Sequence, residues 1–409
     1  MKKKKNIVYL CALVYFTSYF CRKDFAILMS DLLQNNIIDK STGGLICLAL
    51  FVCYGVGQIF CGYLGDKVKP KYMISIGLIV TAICNLLMPC TKIPVLLIVI
   101  WGINGFAQSM LWPPIVRILS TQLDNENYVK GCLVVTSAAH ISTILLYLYT
   151  PLCILYFSWK FVLISASILA ILTFIIFIIC INRIISNSKA DSSTNLTDEI
   201  ETQPLSTIFK EVPLILVFII IVAMGFLRDG IETWLPTLYQ EVLNRDSSES
   251  ILVSILLPIF SILSISLTTV FHKKYKHFNN EITGTLIFFI VSLISIIILL
   301  AIINVNNFIV KLLCILLAAL VCAVMHGSNG LLISCLPGRF AKMGRSATAS
   351  GFCNAFTYVG AAISSYGFAI LSENFGWIFT IASWAVIAVI GIVFSLLAKK
   401  KYTKFISLE

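Results

Sequence analysis

Apolar runs of about 20 residues, separated by short polar breaks, recur from one end of the chain to the other. Each is long enough to cross about 30 Å of hydrocarbon as a helix. Read run by run, they predict twelve spans, beginning near residues 6, 43, 71, 94, 130, 159, 212, 250, 281, 308, 345 and 375. The longest hydrophilic stretch, from Asn182 to Glu211 (NRIISNSKADSSTNLTDEIETQPLSTIFKE), is rich in Ser, Thr, Asn and acids and reads as a flexible linker. It sets six spans in residues 1–182 against six in residues 212–409, with 183–211 between them. The pattern therefore predicts an all-α integral membrane protein.

Composition agrees. Of 409 residues, 59% are hydrophobic and 12% charged, against about a quarter charged in soluble domains. The opening MKKKK followed by Ile7 to Phe20 mimics a signal peptide, but no small-residue cleavage site follows and the run continues into Arg22, so it is read as a retained helix. The fourteen cysteines, such as Cys11, Cys47, Cys53, Cys84, Cys153, Cys180 and Cys314, sit in apolar runs without metal-type spacing. They read as small packing residues, and no metal or cofactor is expected.

The net charge of +11 reports topology rather than nucleic-acid binding. With the N-terminus inside, the cytoplasmic segments hold 22 of the 30 lysines and arginines and the outer loops five, as the positive-inside rule requires. Both termini and the linker are thus expected on the cytoplasmic side of the cell membrane. The sequon Asn195-Leu196-Thr197 then lies on the wrong face for glycosylation.

The three remaining basic residues, Arg22, Lys23 and Arg228, fall inside spans. A cation at the bilayer centre costs at least about 2.5–3.5 kcal/mol unless it faces a polar cavity, so each is a candidate functional residue. Arg22 lies roughly 24 Å along its helix from Asn6, and Arg228 roughly 22 Å along the seventh span from Pro213. Equal depth in the two halves is what pseudo-symmetric repeats around a central cavity produce. An anion between the two guanidinium groups would relieve their repulsion, and their planar forks suit a phosphate or carboxylate. The competing reading is local neutralisation, of Arg22 by Asp24 and of Arg228 by Asp229 or Glu232. The i, i+4 pair Arg228 and Glu232 shares a helix face, whereas neighbours such as Arg228 and Asp229 stand about 100° apart. Lys23 suits either the ligand or a salt bridge with Asp24 or an acid of another helix. Tyr15, Tyr19 and Arg22 follow i, i+4, i+7 spacing, so two phenols line the stripe of the arginine. His140 lies roughly 15 Å inside the fifth span; a lone intramembrane histidine often bonds a neighbouring helix, and an imidazole there could also follow a phosphate's protonation. For His326 in VMHGSNGLL, a ligand role and a helix-to-helix hydrogen bond both remain open.

The stretches YFCRKDFAI, GYLGDKVKPK, GFAQSMLWPPIVRILS, SAAHIS, FLRDGIETWLPTLYQE and SATASGFCNAFTYVGAAISSYGFAILSENFGW, collinear from residue 19 to 377, resemble the organophosphate:phosphate antiporters of the major facilitator superfamily. Glycerol-3-phosphate and hexose-phosphate transporters are the best-known members of that group. The resemblance implies the major facilitator fold, with Arg22 and Arg228 clamping phosphate, His140 joining them, and Tyr15, Tyr19 and Tyr358 lining the cavity. It implies alternating access, with the two halves rocking about the central site in exchange for inorganic phosphate. One position departs: Gln58 stands where the glycerol-3-phosphate carrier has a lysine. Asp66, within the Gly-x-x-x-Asp turn, is expected to gate the cytoplasmic side with Arg117, and Asp24, Asp229 and Glu232 to serve as gating acids.

The expected function is therefore secondary transport of a phosphorylated small metabolite such as glycerol phosphate or hexose phosphate. No Gly-x-x-x-x-Gly-Lys-Ser/Thr loop occurs, so ATP hydrolysis is not expected and the protein is not read as an enzyme. Alternatives are a membrane sensor of sugar phosphate and a proton-coupled solute transporter. The expected partners are the organophosphate, inorganic phosphate and the lipid bilayer, with the chain acting as a monomer.

Overall fold

The computed structural model describes residues 2–123, 125–188, 214–243, 246–274, 280–305, 307–336 and 346–407, and the apolar runs within them are helical. In chain order the helices are α1 (Lys2–Gln34), α2 (Lys40–Lys67), α3 (Pro70–Leu87), α4 (Pro94–Ser109), α5 (Trp112–Gln122), α6 (Asn125–Tyr156) and α7 (Trp159–Ser188). After the linker come α8 (Leu214–Leu243), α9 (Ser247–Val253), α10 (Leu256–Lys274), α11 (Glu281–Ile302), α12 (Phe308–Asn329), α13 (Ser346–Asn374) and α14 (Trp377–Ser407). Residues 189–211 of the expected linker lie outside the described residues, and α7 runs on past 182 to Ser188.

Two spans are split by proline. α4 and α5 form one span interrupted at Met110 and Leu111, whose amides bond the carbonyls three residues back, at Ala107 and Gln108. Pro113 and Pro114, just inside α5, cannot donate to the preceding turn. α9 and α10 make another such pair, with Pro258 in the first turn of α10 and Leu257 N–H bonding Ser254 O. Counted this way, the described helices make twelve spans. Eleven are long and apolar enough to cross a membrane, and α1, with its charged stretch, packs among them. The faces turned outward carry Val, Ile and Leu, including Ile79, Ile103, Leu172, Ile298 and Val389, which suits lipid.

The first and last six spans meet along three seams, α2 with α13, α6 with α9 and α10, and α1 with α8 and α9. Within the second group, α8 and α13 touch backbone to backbone. A Cβ on Gly225 would collide with the Thr357 carbonyl, and one on Gly360 with the Val222 carbonyl. This holds α13, which carries Tyr358, hard against the helix that carries Arg228.

Polar ties join the two groups at the end of the bundle where α1 turns into α2. Lys40 donates to Glu241 over 2.8 Å, and Trp377 Nε1, from the last six spans like Glu241 itself, donates to the same carboxylate over 2.9 Å. Ser247 Oγ donates to Asp31 over 3.1 Å, and Ser247 N–H to Gln34 over 3.1 Å.

Candidate functional site

The buried charges gather where α1, α2, α8, α12 and α13 approach one another. Arg22 on α1 is 4% exposed. Its guanidinium carbon sits 4.2 Å from the Tyr19 ring centre and 4.8 Å from that of Tyr54, and Nη1 donates to Tyr358 Oη over 3.4 Å. Phenol faces attract a cation without supplying a counter-charge. Arg22 Nε is buried without a hydrogen-bond partner. Asp24, the acid that local neutralisation would have used, takes the Phe25 amide over 2.7 Å instead, and its Oδ2 has no partner.

The α1 backbone here is braced from two other helices. Asn85 and Asn104 each donate to the Cys21 carbonyl over 3.2 Å, and Ser18 donates to Gln108. Asn or Gln inside a bilayer is costly unless bonded, so these amides fix the segment just before Arg22.

Arg228 on α8 behaves differently. Nη2 meets Asp229 Oδ2 at 2.6 Å and Nη1 donates to Asn329 Oδ1 over 2.5 Å, while Nε has no partner. The angular argument against an Arg228–Asp229 pair therefore fails: a guanidinium at the end of a long flexible stem can fold back onto its neighbour. Glu232, the easier partner by spacing, is engaged elsewhere. Its Oε2 meets Lys23 Nζ of α1 at 2.9 Å and lies 3.7 Å from His326 Nε2 of α12. Lys23 thus pairs with an acid of another helix and not with Asp24.

Tyr19 and Tyr358 thus meet at the Arg22 guanidinium, which stacks on the first and donates to the second. Tyr358 also packs on Tyr54 at 4.3 Å between ring centres. One turn further along α1, Tyr15 lies 5.1 Å from Tyr19 and 4.8 Å from Trp112. Gln58 on α2 is 1% exposed, and its Nε2 has no partner. The His140 ring on α6 sits 5.4 Å from that of His326, nearly edge to face.

The buried groups thus fall into three neighbouring sets: Arg22 with Tyr19, Tyr54 and Tyr358, Lys23 with Glu232 and His326, which His140 reaches, and Arg228 with Asp229 and Asn329. Of the expected gate, Arg117 donates to the Val68 carbonyl over 3.1 Å, at the end of α2. The side chain of Asp66 lies outside the described residues. Tyr54 and Asn329 belong to the site but went unread in the sequence. Tyr54 stands four residues before Gln58 on α2, a spacing that places both on one face. Asn329 ends α12, beside the π-helical turn Gly330–Cys335, a feature frequent at functional sites.

Comparison with known proteins fits this architecture. The pattern of the Major Facilitator Superfamily matches residues 9–354. A "Probable hexose phosphate transport protein" of Chlamydia trachomatis is 30% identical over 169 residues, 41% of this chain and 37% of that protein. The "Membrane sensor protein UhpC" of Escherichia coli is 25% identical over 168 residues, 41% of this chain and 38% of that protein. The matched stretches thus span well under half the length of these relatives. A crystal structure of a bacterial homolog to the human lysosomal transporter Spinster, inward-facing and occupied, superposes with a TM-score of 0.78. It does so at 11% identity, covering 99% of this chain and 98% of that one, a likeness of fold alone.

Proposed function

The chain belongs to the Major Facilitator Superfamily, and from that premise we propose that it exchanges a phosphorylated small metabolite for inorganic phosphate by alternating access. The observation that carries this reading is the state of Arg22. Lys23 and Arg228 are each paired with a carboxylate, while Arg22 is buried against phenols with Nε unpartnered. A buried cation held without a counter-charge is costly, and an anion entering beside it removes that cost.

Phosphate would take the open donors of Arg22 and Arg228, with Tyr358 and Tyr19 donating to further oxygens and His140 and Gln58 bordering the chamber. Arg228 must share its fork between the substrate and Asp229. Charge balance then couples the exchange: a site left with an uncompensated guanidinium resists crossing the low-dielectric centre, and a dianion lowers that barrier. With both termini in the cytoplasm, as the lysine and arginine bias favours, the tied end at Lys40 and Glu241 would face outward. Residues 1–182 and 212–409 act as the two rocking halves in a single chain, with Arg117, Asp24, Asp229 and Glu232 helping to set their equilibrium.

The test is counterflow of radiolabelled phosphate into proteoliposomes preloaded with phosphate, challenged with glycerol, hexose and glycerate phosphates. Competition by at least one organophosphate is expected; phosphate leaving without a counter-substrate, or no competitor at all, contradicts the proposal. A sensor reading is favoured by the similarity to UhpC and predicts organophosphate binding without counterflow.

A further inference from the structure

The chemistry assigned to phosphate leaves three donors unused on the far side of Lys23. Cys322 and His326 stand four apart on α12 and so share a face. With Glu232 of α8 they place a sulfur, an imidazole nitrogen and a carboxylate oxygen within 4.8 Å of one another. Cys322 is fully buried, and its thiol donates to the Arg228 carbonyl over 3.6 Å.

A tetrahedral zinc ion, with bonds of about 2.0–2.1 Å to nitrogen and 2.3 Å to sulfur, separates its donors by roughly 3.3–3.8 Å. The nitrogen and oxygen donors would stand roughly 3.3–3.4 Å apart, so the His326 to Glu232 distance of 3.7 Å has to shorten by a few tenths of an ångström and the sulfur has to close in by roughly an ångström. The same bond lengths set two zinc-bound imidazole ring centres about 5 Å apart; His140 and His326 stand at 5.4 Å. We propose that Glu232, Cys322 and His326, closed by His140, form a site for a borderline-soft divalent cation such as Zn²⁺.

The donor set of thiolate, imidazoles and one carboxylate selects zinc over magnesium or calcium, which favour all-oxygen shells. Binding expels the Cys322 proton, so a dication adds one net positive charge to the chamber. Lys23 competes for Glu232, but a carboxylate offers about four lone-pair sites and can serve both.

His140 comes from the first six spans and the other donors from the last six. A bound metal therefore adds a coordination bond across α6 and α12 that the halves must break in order to rock. Zinc acts as a lock on the carrier. The lock rests on the exchange reading above; the metal site does not.

The full-length protein, purified in detergent, is titrated with Zn²⁺ and Co²⁺ and the bound metal counted. One zinc per chain is expected. The cobalt form should show tetrahedral bands and thiolate charge transfer, which Cys322→Ala abolishes. Cys322→Ala and His326→Ala should weaken zinc by more than the roughly 10–100-fold that losing an outer partner costs, and His140→Ala should weaken it less. In proteoliposomes micromolar Zn²⁺, but not Mg²⁺, should stop phosphate counterflow in the wild type and spare Cys322→Ala, whose uninhibited rate stays normal. Less than one zinc per chain, octahedral cobalt without charge transfer, or equal affinity in Cys322→Ala and His326→Ala overturns the site. The cobalt spectrum of the wild type decides the matter even where a variant does not fold. Zinc bound as expected by a protein that exchanges no phosphate supports the site and counts against the exchange reading alone.

Discussion

At the scale of single residues, the balance of charge in the chamber sets affinity and turnover in opposite directions. Asp229 takes the Arg228 Nη2 donor and, on the exchange reading, would compete with phosphate for it. Asp229→Asn should tighten phosphate binding to the detergent-purified protein and slow counterflow, because the anion then leaves an uncompensated pair of guanidinium groups; weaker binding would show that Asp229 orients Arg228 instead. Gln58 is buried with Nε2 unpartnered, a donor that an anion in the site would satisfy, and Gln58→Lys should raise phosphate affinity as a charge-assisted hydrogen bond worth about 1.5–3 kcal/mol forms. Unchanged affinity by calorimetry would place Gln58 outside the phosphate shell. Arg22, Arg228 and the Tyr15 to Arg22 stripe were legible because intramembrane charge and helical spacing are written in one helix. The partners were not. Whether Arg228 meets Asp229 or Glu232 depends on how a flexible stem folds, and Tyr54, Asn329 and His326 arrive from other helices whose rotation no hydropathy pattern gives.

At the scale of helices, the spans follow directly from hydropathy, since a membrane leaves few other places for 20 apolar residues. Span starts at Pro70, Pro94, Trp159 and Glu281 fall within a residue of expectation. The interruption of α4 and α5 was present in the sequence as Trp112-Pro113-Pro114, yet its effect on pairing needed the helix in view. The contact of α8 with α13 depends on Gly225 and Gly360. Gly225→Ala places a methyl against a backbone carbonyl that cannot move aside, and should destabilise by about 1–3 kcal/mol, read as a lower melting temperature in detergent. An unchanged melting temperature would mean that the helices separate without penalty. At the start of α2, Asp39 accepts from the Thr42 amide over 3.1 Å. The bonds to Thr42 hold the Asp39 carboxyl below its ordinary range. A depressed carboxylate contributes its stability above the unfolded value, near pH 3.9, and loses it only as pH falls through the lower folded value.

At the scale of the whole molecule, the Lys40–Glu241 pair ties the two groups of spans at one end of the bundle. The pair is partly exposed, with side-chain exposures of 17% and 37%, and such bridges contribute about 0–1 kcal/mol. Glu241→Gln should therefore shift the conformational equilibrium by up to about fivefold, read as faster hydrogen exchange around residues 34–40; unaltered exchange would mean that packing alone closes this end. The sequence carried the number of spans but not this tie, because it depends on contacts between helices that are distant in the chain. The arginine site and the rocking halves meet in one claim, that a buried guanidinium from each half holds the phosphate being moved. Counterflow of radiolabelled phosphate in proteoliposomes of Arg22→Lys tests it most directly. An ammonium keeps the charge but loses the planar fork and its stacking on Tyr19 and Tyr54, and the account predicts exchange reduced by about 10- to 150-fold, the worth of one charged hydrogen bond. Exchange at the wild-type rate would contradict it.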